Sequence, residues 1–229
     1  MNSYPSTNDS PERIEPCACR IHSTVRGSWG FALVSLIGFG LWACAGSWFY
    51  KNVGEAGLYA ATTAVFFAAS GLFLHPLVHG SNSIRRFYKI FIPAFFAYAA
   101  IWCAAWFALR FGPGEWLGSF LGSFAFIALT GFGFGNYRGF LKAGLVMFVT
   151  HSTGYFLGGM LMHWLAGPEG RALLEGFSKS QISILAKLSW GLLYGLGFGA
   201  GIGFAFWNFQ AGSPVEPKTT SEENLPESV

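Results

Sequence analysis

The chain has 229 residues, of which 52% are hydrophobic and only 11% are charged, with a mean hydropathy of +0.43. Soluble domains carry about 25% charged residues, so the composition excludes an ordinary water-soluble enzyme and points to one integral membrane domain with short polar tails. The net charge of +3 is small and scattered, which excludes nucleic acid as a partner.

Residues 1–27 are polar, carry Pro5, Pro11 and Pro16, and show no helical period, so they read as a disordered cytoplasmic tail. Cys17, Cys19 and His22 supply three soft ligands there, whereas structural zinc takes four within a fold. With Cys44 and Cys103 inside apolar runs, the four cysteines read as free thiols. Six apolar runs then follow, each long enough to cross a bilayer. The first, 28–50, contains Ala43-Cys44-Ala45, which imitates a cleavage site, but the preceding region is too long for a signal peptide and the run reads as an anchor. The second, 56–77, ends in His75-Pro76-Leu77-Val78-His79-Gly80. The third, 90–109, places Pro93 in its first turn, where a missing N–H costs little. The fourth is 116–134 and the fifth 141–165. In the connection after the fifth, Leu173, Leu174, Phe177, Ile182 and Leu185 recur at helical spacing, which predicts a short amphipathic helix in the interface. The sixth run is 184–209, and 210–229 is an acidic, disordered tail. The predicted domain is therefore 28–209, an all-α polytopic membrane bundle of six transmembrane helices.

Lys and Arg near the spans set the orientation. Arg13, Arg20 and Arg26, then Arg85, Arg86 and Lys89, then Arg138 and Lys142 face Lys51 and Arg110 alone on the other side. Both termini are expected in the cytoplasm, with the chain in the cell membrane, although Arg171, Lys179 and Lys187 oppose the rule. Trp29, Trp48, Trp116, Trp164, Trp190 and Trp207 sit near span ends, as an interfacial belt predicts.

The sixth span organises the rest. Over residues 190–207, Gly191, Gly195, Gly199 and Gly203 recur every fourth position and form one bare row on a helix. Gly197 and Gly201 form a second row on another side. Glycine inside a helix costs about 0.8–1.0 kcal/mol against Ala, so these positions forfeit roughly 5 kcal/mol on that scale. Such a loss is sustained where backbones approach closely, and small residues four apart are the packing surface of membrane helices. The sixth helix is therefore expected at the centre of the bundle, touched on two sides. Gly154 with Gly158, and Gly118 with Gly122, repeat the theme on the fifth and fourth spans.

No Asp or Glu falls inside the apolar runs as bounded here, so proton-relay chemistry would fall to histidine. His151 lies within the fifth span, in Thr150-His151-Ser152-Thr153-Gly154, and shares a face with Gly154, Tyr155 and Gly158. An ionisable side chain there marks a functional site or hydrogen-bonds a neighbouring helix. Thr150, His151, Ser152, Thr153 and Tyr155 are the candidate lining of a solute path, with Asn136 near its cytoplasmic mouth. His75 and His79 stand four apart and, with His151, are metal or haem candidates, His163 lying toward the far face; the expectation is no cofactor. The run Thr130-Gly131-Phe132-Gly133-Phe134-Gly135-Asn136 alternates Gly and Phe and predicts a helix end able to unwind, out of register with a potassium filter. Ser70 and Ser152 lack any recognisable oxyanion hole, so hydrolysis is not expected.

Three functional readings follow. The first is a channel, facilitator or membrane transport subunit for a small neutral or weakly charged solute. The second is a non-catalytic scaffold or regulatory subunit bound to another membrane protein, and the third a His-ligated redox protein. Lipid bilayer is the partner common to all.

Overall fold

Helix crossing in this chain is governed by where the backbone is bare. The computed structural model describes residues 16–80 and 82–211, with side chains from Arg20 onward. The described residues form α1 (Pro16–Asn52), α2 (Glu55–Leu74, continued by a 3-10 turn, His75–Leu77), α3 (Ser83–Leu109), α4 (Phe111–Phe134), α5 (Phe140–Ala166), α6 (Pro168–Leu173) and α7 (Lys179–Gln210), with no strand among them. All except α6 are long and apolar enough to cross a membrane. The chain is a multi-pass helical bundle, since helices satisfy every backbone polar group internally and lipid offers no other partner.

The last helix is the most enclosed. Of its apolar 18-residue window 56% is buried, against 28% to 44% for the other spans. Its first glycine row meets α1: a Cβ on Gly199 would collide with the Gly27 carbonyl, and one on Gly195 would lie 2.6 Å from the Ala32 Cα. Gly203 presses on the Ser23 carbonyl and Gly191 on Phe39. The second row meets α5, with Gly197 against the Thr150 carbonyl and Gly201 against Met147. From the other side Gly154 meets the Leu193 carbonyl, and Gly158 would put a Cβ 3.0 Å from the Trp190 carbonyl oxygen. Such proximity also opens α7 carbonyls to neighbours: Ser28 Oγ donates to the Leu196 oxygen at 2.8 Å, and Ser23 Oγ to the Gly203 oxygen at 2.9 Å. Gly118 and Gly122 serve a different seam, packing α4 against α3, where an added Cβ would lie 3.1 Å from the Trp102 backbone and 3.2 Å from the Tyr98 carbonyl oxygen.

Charge divides the two ends of the bundle. At the end where α1, α3 and α5 begin and α7 finishes lie Arg20, Arg26, Arg85, Arg86, Lys89, Arg138 and Lys142, with no carboxylate among the described residues. At the far end lie Glu55, Glu115, Glu169 and Glu175, mixed with Lys51, Arg110, Arg171, Lys179 and Lys187. Toward the basic end the core is solid phenylalanine: Phe87, Phe91, Phe126, Phe198 and Phe206 are all fully buried.

Several sequence expectations change. The first helix starts at Pro16, so the last twelve residues of the predicted disordered tail are helical; α7 carries its glycine row on to Gly203, and Ser23 and Gly27 cover it. The remainder of that tail, 1–15, and nearly all of the C-terminal one, 212–229, lie outside the described residues. Pro93 sits in the third turn of α3, because that helix begins seven residues before its apolar run, at Ser83. The fourth span starts at Phe111, which brings Glu115 inside it and removes the expected absence of carboxylates from the spans. The predicted amphipathic helix after α5 is not continuous. The short α6 ends at Leu173, and α7 begins at Lys179 because Ser178 and Gln181 form a reciprocal capping box. The Gly-Phe run does not unwind: α4 stays helical to Phe134 and closes on Gly135, whose φ of 67° suits the left-handed cap that glycine tolerates.

Candidate functional site

The far half of the bundle is hollow. A cavity of about 240 Å³ lies among α1, α2, α3, α5 and α7. Eleven of its seventeen lining residues are aromatic and none is charged, so its wall is ring surface. Three helices contribute short stripes: Phe39 and Trp42 from α1; Phe95, Tyr98 and Trp102 from α3; Trp190 and Tyr194 from α7. Spacings of three, four and seven residues keep each stripe on one helical face. Tyr50 and Tyr59 are partly exposed and stand nearest the α1–α2 connection, which marks the rim.

Tyr98, one of the lining residues, is hydrogen-bonded to a histidine behind the wall. Tyr98 Oη and His151 Nε2 are 2.8 Å apart, and both residues are buried. With Tyr98 donating to Nε2, a neutral imidazole carries its proton on Nδ1; that nitrogen has no partner among the described residues. Rings close around the imidazole, with Tyr194 at 5.7 Å, Phe198 at 5.5 Å and Tyr155 at 6.1 Å between centroids. Beyond Phe198 begins the phenylalanine core, so the chamber is closed toward the basic end.

Part of the side-chain polarity in the wall is turned toward protein, while the buried Trp102 Nε1 has no hydrogen-bond partner among the described residues. Trp190 Nε1 donates to the Tyr155 carbonyl at 3.0 Å, and Tyr155 Oη donates to Glu115 Oε1 at 3.1 Å. The Lys187 ammonium lies 4.7 Å from the centre of the Trp42 ring, and the Arg110 guanidinium 4.8 Å from that of Trp106. The α3–α4 junction beside them is strained, with Arg110 and Phe111 at φ of 53° and 39°.

The residues singled out from sequence separate in space. Tyr155 lines the chamber, whereas His151 does not; it stands behind the wall, hydrogen-bonded to the lining residue Tyr98. Thr150 is half-buried, donates to the Val146 carbonyl at 2.9 Å and packs on Gly201, so it belongs to the α5–α7 seam. Ser152 is buried, and its hydroxyl has no hydrogen-bond partner among the described residues. Thr153 is exposed on the outer face of α5 and lines nothing, because two residues rotate it about 200° from His151. Asn136 is a structural clamp: its Nδ2 donates to the Phe209 carbonyl at 2.9 Å and its Oδ1 accepts from the Arg138 N–H. Trp190, assigned to the interfacial belt, also lines the chamber.

The three histidine candidates for metal lie apart in function as well. His75 Nδ1 is held by the Gly71 carbonyl at 2.8 Å, His79 is exposed at the basic end, and His151 is engaged with Tyr98. Among the described residues no three His, Cys, Asp or Glu side chains form a group able to hold a metal ion. Ser70 Oγ, like that of Ser152, has no hydrogen bond among the described residues, so neither hydroxyl is paired with a general base.

Sequence reading missed Tyr59, Tyr98, Trp102, Tyr194 and Glu115. A signal was present in the aromatic faces at 95, 98 and 102 and at 190, 194 and 198, but nothing local says which faces share a cavity. Comparison with protein-family models, with curated proteins and with solved structures finds no match to this chain.

Proposed function

We propose that this multi-pass membrane protein is a facilitator or transport subunit for a small neutral or weakly charged solute, with the aromatic chamber as its binding site. The carrying observation is the chamber itself: about 240 Å³ of uncharged, ring-lined space, one of whose lining residues, Tyr98, is hydrogen-bonded to the buried His151 behind it. Drug-sized ligands occupy pockets of roughly 300–1,000 Å³, so the solute is smaller than that class. In this reading the basic end faces the cytoplasm, as the distribution of Lys and Arg favours, and the chamber opens to the opposite side. Passage then requires the Tyr98–His151 contact and the ring of Phe198 beneath it to give way. A polar contact is a suitable gate, since it exchanges its partner for solute hydroxyls or water at little net cost.

The test is flux in proteoliposomes, using urea, glycerol and choline as probes. At least one should cross faster than through protein-free liposomes. His151→Ala and the milder Tyr98→Phe should change that rate at least tenfold, while the outward-facing Thr153→Ala leaves it unchanged. Flux that is indistinguishable from protein-free vesicles, together with a partner that co-purifies at fixed ratio, would instead make the chain a scaffold.

A further inference from the structure

Size limits the solute; the chemistry of the wall selects its charge. Three polar hydrogens bordering the chamber are already committed to protein. The Trp190 N–H goes to the Tyr155 carbonyl, the Tyr155 hydroxyl to Glu115 and the Tyr98 hydroxyl to His151. The rings that bear them therefore offer mainly their π faces, which carry the negative lobe of the aromatic quadrupole. No Lys or Arg is among the lining residues, and the charges at this end of the bundle are mixed, Glu55, Glu115, Glu169 and Glu175 with Lys51, Arg110, Arg171, Lys179 and Lys187. Rings at this end already attract cations: the Lys187 ammonium is drawn over Trp42, which is one of the lining residues, and Arg110 over Trp106.

We propose that the chamber is an aromatic cage for a small monovalent organic cation of the alkylated-ammonium class, and that Lys187 competes with it at Trp42. The inference rests on the chamber being the solute site. Alkylation follows from the wall: an ammonium with several N–H groups needs several acceptors, and the wall carries no carboxylate to accept them. A quaternary ammonium needs none, sheds its weakly held hydration easily and gains from each ring it faces. Thr62 and Thr63, also in the wall, leave hydroxyls for a polar substituent on the same molecule.

The experiment is titration of the purified protein in nanodiscs, read by tryptophan fluorescence and calorimetry. The ligands are choline and its neutral isostere, 3,3-dimethyl-1-butanol. Choline should bind at least tenfold more tightly. Lys187→Met should tighten choline severalfold by removing the competing ammonium. Tyr59→Leu, at the exposed rim, should weaken it severalfold without changing thermal stability. Equal or tighter binding of the alcohol overturns the cage and leaves the chamber as a neutral-solute site. Choline binding that neither variant moves overturns it by placing the cation elsewhere. Binding of neither ligand by folded protein overturns the cage, and the chamber reading falls with it only where urea and glycerol flux also matches that of protein-free liposomes.

Discussion

Toward the basic end, Phe87 and Phe91 stack with centroids 4.9 Å apart, Phe206 lies 6.0 Å from Phe87, and all three are fully buried. Toward the far end, Trp42, Tyr59, Trp102 and Tyr155 are just as aromatic, yet they surround about 240 Å³ of space. Composition does not separate the two halves; backbone spacing does. α1 and α5 press on α7 through glycine in both halves, at Gly203 and Gly201 in the solid one and at Gly191 and Gly158 in the hollow one. Only in the solid half does α3 close the remaining side with its phenylalanines. In the hollow half α2 packs along α1 but touches α3 at few points, so rings from five helices reach toward one another without filling the gap. The bundle is thus solid at one end and hollow at the other.

The sharpest way to break that division is to put a side chain where the backbones touch. Gly199→Leu places atoms directly on the Gly27 carbonyl, and a main chain cannot swing aside as a side chain does. Overpacking a core costs typically 1–3 kcal/mol, and with backbone on both sides the loss should reach or exceed the top of that range. Gly46→Leu on α1 meets only its own helix neighbour, Trp42, at 3.1 Å, and should cost under about 1 kcal/mol. Detergent thermostability by fluorescence-detected size exclusion compares the two; equal losses would remove α7 from the centre of the packing.

The same contrast explains what can be read in the chain. The row Gly191, Gly195, Gly199, Gly203 lies within one helix, so its period is a local property and the central place of α7 is legible in the amino-acid sequence. The six spans are legible for the same reason, each being a continuous apolar run. Their ends are not. α3 starts at Ser83, ahead of its apolar run, and carries Arg85, Arg86 and Lys89 on its first turns; hydropathy reports only where the lipid begins. The chamber is illegible because it is made of one to three rings from each of five helices. The key contact, Tyr98 to His151, spans 53 positions. His151 stands out because an imidazole in an apolar run is conspicuous, whereas a tyrosine among phenylalanines is not.

A smaller perturbation sharpens the hollow half. Glu115 is the acceptor that holds the Tyr155 hydroxyl away from the chamber. Glu115→Gln keeps an oxygen in place but removes its charge. Hydrogen bonds to charged groups contribute about 1.5–3 kcal/mol against about 0.5–1.5 kcal/mol for neutral ones, so the variant should lose about 1 kcal/mol. Glu169→Gln is the control: Glu169 accepts from Trp164 Nε1 at 3.2 Å in an exposed pair and should register no change. A loss at Glu169 equal to that at Glu115 would mean the Tyr155 bond is as solvated as the surface one, and the wall would not be fixed by it.

The smallest expected effect falls in the solid half, and its smallness carries the meaning. Ser28 Oγ donates to the Leu196 carbonyl at 2.8 Å across the α1–α7 seam. Leu196 lies well inside α7, so its carbonyl keeps its helical partner when the serine hydroxyl is removed. Ser28→Ala therefore deletes a bond without orphaning an acceptor, and such bonds inside membranes average about 0.6 kcal/mol. Ser47→Ala, exposed on the same helix, serves as the baseline. If Ser28→Ala approached the cost of Gly199→Leu, polar bonds would be holding the seam, and glycine would only be making room for them. A loss near the membrane average assigns the seam to van der Waals contact between two bare stretches of main chain, the interaction that leaves α7 fixed while α2 stands away from α3.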